Sequence, residues 1–219
     1  MQSSRHLFSP LSCCNRRETG GGRKLDPAVY QAMMAVIAEK GWSQATMPEI
    51  AARSLTTPEE IQRFYPTLHD LLAAYFDEQT RQLLAQPAAQ LLPDSPFSHH
   101  REYLFALMMN YMDMLQPHRL AYRQMQRAWP TSPRLSRVLL THAQQFLQQA
   151  LQKSQLLSWL PATTASLLIL PAWLGVLRAW HQDEGPDLSA TMKKLDDQLR
   201  QAQEYWHYLP ALVRRILAT

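Results

Sequence analysis

Apolar residues recur along this chain at intervals of three and four rather than two, so the pattern predicts helices from one end to the other. Val29, Met33, Val36 and Ile37 share one face of a first helix that opens at Asp26-Pro27 and stops at Gly41. Thr46, with Glu49 three residues on, signals a second, short helix ending near Arg53. After a corner at Ser54-Leu55-Thr56, the run Thr57-Pro58-Glu59-Glu60 signals a third: Thr at the N-cap, Pro where its missing N–H costs nothing, a carboxylate at N3. Ile61 and Phe64 are expected to face inward, leaving Glu59, Glu60, Gln62 and Arg63 on the open side. Two short helices joined by a tight corner predict a helix-turn-helix, with Trp42 and Met47 filling its small core.

Pro66-Thr67 opens a fourth helix whose stripe, Leu71, Leu72, Tyr75 and Phe76, continues through Leu83 and Leu84 to the break at Pro87. A Pro-punctuated connector follows. Tyr103, Leu104, Leu107, Met108, Tyr111, Met112 and Leu115 then predict a helix from Arg101 that ends before Pro117. The next helix, His118 to Trp129, carries Arg119, Arg123 and Arg127 on one face, either a solvated basic face or a site for acidic ligand groups. One long helix is predicted from Pro133 to Trp159, with Leu135, Val138, Leu139, Ala143, Phe146, Leu147, Ala150 and Leu151 inside. Residues 163–180 are the most apolar stretch, and Pro171 and Gly175 should kink it. A helix apolar all round needs cover both inside its own body and from a second copy. The last stripe runs through Leu188, Met192, Leu195, Leu199, Ala202, Trp206 and Leu209, capped by Asp187 or Ser189.

Composition narrows this to an all-α fold, since 46% apolar content with only 6 glycines leaves little for strands. No uncharged apolar run is long enough for a stable membrane span, and no apolar segment near Met1 looks like a signal peptide, so the cytoplasm is expected. Cys13 and Cys14 are too few for a disulfide framework or a metal site. The eight histidines fall into no metal-ligand spacing, and no nucleophile elbow, P-loop or dinucleotide fingerprint occurs, so neither an enzyme nor a cofactor is expected. Net charge is +4, but unevenly placed. Residues 1–24, read as a disordered tail, hold Arg5, Arg16, Arg17, Arg23 and Lys24 against Glu18. Residues 25–70 are acidic: Lys40, Arg53 and Arg63 against Asp26, Glu39, Glu49, Glu59, Glu60 and Asp70. An acidic reading head repels phosphate, so a basic arm would have to compensate.

Gly41, Thr46, Ile50-Ala51, Ser54, Thr57, Ile61, Arg63, Tyr65, Pro66, Asp70 and Leu71 fall without a gap on the pattern of another group of proteins. From Val29 to Leu71 the chain resembles the DNA-binding domain of TetR-type transcriptional regulators. It departs from that pattern where DNA is touched: Leu55 stands for the turn glycine, Glu59-Glu60 for Gly-Thr, and Gln62 and Leu68 for the phosphate-contacting Tyr and Lys. The resemblance implies a helix-turn-helix head at 25–70, a ligand-binding and dimerisation body at 71–219, and a homodimer through residues 163–209. A weaker resemblance, Trp180-His181-Gln182-Asp183 through Asp187 to Thr191 with Leu195-Asp196, is to COQ9-like proteins, relatives of this fold that bind lipid or isoprenoid. Such relatives would keep the fold and lose DNA.

The first resemblance implies a repressor of palindromic duplex DNA, contacted by Thr46, Thr56, Thr57, Glu60, Gln62, Arg63 and Tyr65. Its body would hold a small apolar or amphipathic effector, in a cavity expected among Met108, Met112, Tyr122, Trp129, Phe146 and Trp173 because methionine and aromatic side chains concentrate there. Those methionines also suit ordinary core.

Overall fold

The computed structural model describes residues 27–86, 100–155, 160–183, 185 and 187–202. The basic tail, the connector before His100, Trp206, Leu209 and the C-terminal segment lie outside them. Every described element is helical: α1 (Pro27–Lys40), α2 (Met47–Arg53), α3 (Pro58–Phe64), α4 (Leu68–Ala85), α5 (His100–Leu115), α6 (Arg119–Ala128), α7 (Pro133–Ser154), α8 (Ala162–Gln182) and α9 (189–202). The fold is all-α, as the periodicity requires.

Local chemistry sets the head. Gly41, at φ 83°, turns the chain out of α1 while its N–H still bonds the Ile37 carbonyl at 2.9 Å. Thr57 and Glu60 form the expected capping box, the N–H of Glu60 donating to Thr57 Oγ1 at 3.3 Å and the N–H of Thr57 to the Glu60 carboxylate at 3.2 Å. Thr67 and Asp70 repeat that box at the start of α4. At α2 the cap differs from expectation: Thr46 makes no side-chain cap bond, and Glu49 pairs with Lys40 at 2.5 Å. Val29, Met33, Ile37, Ile50, Ile61 and Leu71 are fully buried together, with Trp42 edge-on to His69 at 5.0 Å. Phe64 is 40% exposed rather than inward, because α3 is two turns long and Ile61 alone fills its inner face.

In the body, α7 and α8 form the most extensive helix pair, with α4 and α5 packed on α7. Helix α7 ends at Gln155, in the left-handed conformation at φ 53°, before the expected Trp159. Helix α8 continues through Pro171 without a break in its assignment. Contrary to the expectation of no candidate span, α8 is long and apolar enough to cross a membrane by length and composition, with a mean hydropathy of 1.4. Its Trp173, Val176 and Trp180 are nevertheless buried against the other helices of the body. Helix α9 is capped from across the corner by Asp183, whose carboxylate accepts from the Thr191 N–H and hydroxyl at 2.8 Å each; Asp187 reaches only the Ser189 N–H at 3.4 Å. Leu188, Leu195 and Leu199 are buried within this chain, while Met192 is exposed. Most of the described α9 stripe is therefore spent inside the protomer.

Candidate functional site

The head presents α3 as an exposed polar ridge. Glu59, Glu60, Gln62 and Arg63 all face solvent beside Thr57. The other two head cations are consumed locally: Arg53 forms a two-pronged pair with Glu39, both bonds at 2.8 Å, and Lys40 holds Glu49. Arg63 belongs to neither pair and stays on the open face. Glu60 and Thr57 bond each other across the N-terminus of α3, so the N–H that would greet a phosphate already has a partner, and a carboxylate sits beside it. Thr56 spends its hydroxyl on the Ser54 carbonyl at 3.2 Å. Tyr65 is half-buried, its hydroxyl 3.2 Å from that of Tyr30. Thr46 is exposed at the start of α2. Thus Thr46, Thr57, Glu60, Gln62 and Arg63 are all exposed on the head, whereas Thr56 and Tyr65 are tied into its frame.

The turn holding this ridge carries strain. Leu55 adopts φ 55°, the left-handed region that glycine enters freely, and its side chain is 97% exposed. The backbone keeps the helix-turn-helix corner although the residue does not favour it.

The body holds a cavity of about 490 Å³ that is partly open to solvent. Phe76 of α4, Tyr111 of α5, Tyr122 of α6 and Trp173 and Trp180 of α8 build its walls, and Trp129 stands at its edge. Of the expected pocket residues, Tyr122, Trp129 and Trp173 line it. Met108 lines a second, more open cavity of about 520 Å³ between α5, α8 and α9. Met112 and Phe146 line neither and are fully buried; Phe146 stacks on Tyr111 at 4.3 Å. Helical periodicity identifies the inner face but not where neighbouring helices fail to meet, so it could not separate wall from core.

Sequence reasoning missed the polar part of the cavity. His142 lies flat against Phe76, ring centroids 4.2 Å apart, and its Nε2 meets the Tyr111 hydroxyl at 2.7 Å. Burial pushes its pKa down to about 3, so it is neutral. His181 is held down to about 4, first by burial and then by the guanidinium groups of Arg119 and Arg123, and its Nδ1 is buried with no hydrogen-bond partner among the described residues. Arg178 stands one turn earlier at the cavity mouth. The spacing of Arg178 and His181 on an otherwise apolar helix was the available signal.

Helix α6 joins the two regions. Arg119 donates to the carbonyls of Trp180, at 2.6 Å, and Asp183, and Arg123 to that of His181 at 2.9 Å, so both guanidinium groups close the C-terminus of α8. Arg119 and Arg123 are thus spent on a helix clamp, while Arg127 of the same face is exposed. Helix α6 also packs on α1 and on the turn Trp42–Gln44 of the head. Among the described residues no group of three or more His, Cys, Asp or Glu side chains could hold a metal ion.

No protein-family model matches this chain, and no curated protein does. Solved structures match its fold. A TetR transcriptional regulator from Nitrosomonas europaea superposes with a TM-score of 0.65 at 22% identity, over 81% of this chain and 98% of that one. A TetR-family transcriptional regulator from Streptomyces coelicolor gives 0.55 at 16% identity, over 88% and 87%. The fatty acid degradation regulator FadR from Bacillus halodurans gives 0.52 at 20% identity, over 81% and 96%. With a three-helix head and a helical body arranged alike over most of each chain, this protein has the fold of the TetR-family transcriptional regulators.

Proposed function

We propose that this protein is a cytoplasmic, ligand-responsive transcriptional regulator of the repressor type, which binds palindromic duplex DNA as a homodimer. The observation that supports it most is the position of α6, which lines the cavity through Tyr122 and Met125 and also packs on α1 of the head. An apolar or amphipathic effector entering the cavity bears on the helix that seats the head. Effector and DNA then weaken each other's binding by the same factor. Gln62 and Arg63, exposed on α3, would read base edges, each worth about 1–3 kcal/mol of discrimination in good geometry. Leu167 and Leu168, 54% and 55% exposed on α8, offer an apolar face for the second copy. Selection from a random duplex library at low salt should enrich a palindrome that is lost with Arg63→Ala. Deleting residues 1–24 should weaken binding and flatten its salt dependence, since the tail would supply phosphate contacts that α3 lacks.

The closed N-terminus of α3 and the two internal ion pairs favour a second reading, a COQ9-like lipid- or isoprenoid-binding protein whose head no longer touches DNA. That reading predicts no enriched duplex at any salt and a co-purifying isoprenoid seen by mass spectrometry.

A further inference from the structure

We propose that the cavity takes a flat aromatic acid, its ring between the aromatic walls and its carboxylate at the mouth, against Arg178. This rests on the reading of the cavity as an effector site and names the chemistry of that effector. Three observations carry it. The walls are faces and edges of Phe76, Tyr111, Tyr122, Trp173 and Trp180, which receive another ring by offset or edge contact; an alkyl chain would gain only area from them. Among the described lining residues there is no carboxylate, so a cationic guest has no counter-charge and an anion meets no repulsion. The exposed polar groups that line the cavity, Arg178 and Gln126, can both donate. Arg178 is exposed, so an anion there keeps part of its water while the ring lies against the aromatic walls.

Gly175 supplies a control that does not threaten the fold. It lines the cavity from the interior of α8, and a Cβ added there meets nothing within 4 Å. A larger residue grows into the empty space and favours the helix over glycine.

The test titrates the full-length protein with 2-naphthoate, uncharged 2-naphthylmethanol and decanoate, following quenching of its tryptophan emission and the shift in melting temperature. Naphthoate is expected to bind at least tenfold more tightly than either other probe. Arg178→Gln should remove most of that preference while leaving naphthylmethanol unchanged, and Gly175→Phe should abolish binding of both aromatic probes in a protein with unaltered far-ultraviolet dichroism. Equal affinity for acid and alcohol, or a preference for decanoate, overturns the assignment of an aromatic acid but leaves an effector cavity standing. Absence of binding by all three probes, with no effect of Gly175→Phe on melting in their presence, overturns both. Naphthoate binding that survives Gly175→Phe places the ligand elsewhere and overturns the proposed seat.

Discussion

Lowering the pH from 7 to 5 should cost the fold about 2 kcal/mol through His142 alone. An unfolded imidazole titrates near 6.5, and in the fold His142 is held down to about 3 by burial between Phe76 and Tyr111. Because the folded value is depressed, its contribution to stability is complete above 6.5 and is lost as the pH falls through the window toward 3. The slope within that window is about 1.4 kcal/mol per pH unit. At pH 5 the unfolded chain has taken up the proton and the folded chain has not, so the figure holds for any folded value below about 4. His142→Phe removes the titration and keeps the stack on Phe76, at the cost of about 1–3 kcal/mol at every pH for leaving the Tyr111 hydroxyl unpaired. Urea unfolding of both proteins at pH 7 and pH 5, at one fixed protein concentration, isolates the effect. The other histidines titrate in both proteins and cancel. Wild type should lose about 2 kcal/mol more than the variant between the two pH values. Equal losses would mean that His142 is not held neutral in the core, and the reasoning would fail.

Leu55→Gly should stabilise the protein by about 0.5–1 kcal/mol, because relief of a left-handed leucine outweighs the added unfolded-state entropy and almost no buried area is lost; a lower melting temperature would show that the leucine makes contacts that matter. Leu168→Glu should convert the proposed dimer to a folded monomer, measured by sedimentation; a charge at Leu199, buried within the chain, should unfold the protein instead. Asp183→Ala should remove the cap of α9 and lower stability by about 1 kcal/mol, with faster amide exchange over 189–202 as its signature. Unchanged exchange there would show that α9 is held by its leucines alone.

Much of the fold was determined by the sequence itself. Period-three-and-four apolar spacing requires helices, and the boxes Thr57–Glu60 and Thr67–Asp70 start α3 and α4 where those letters stand, since a cap is decided by residues within four positions of each other. The acidity of the head was equally legible, being a count of letters. Tertiary structure decided everything that depends on which face meets which neighbour. It paired Lys40 and Arg53 with carboxylates distant in sequence, so that the unpaired charge of the head differs from its composition. It spent Arg119 and Arg123 on the carbonyls of α8, some sixty positions away. It divided one inner face of aromatic and sulfur side chains into cavity wall, at Tyr122 and Trp173, and solid core, at Met112 and Phe146. Periodicity tells a side chain to leave water. Whether another atom waits to touch it depends on the separation of helices that the local sequence does not encode.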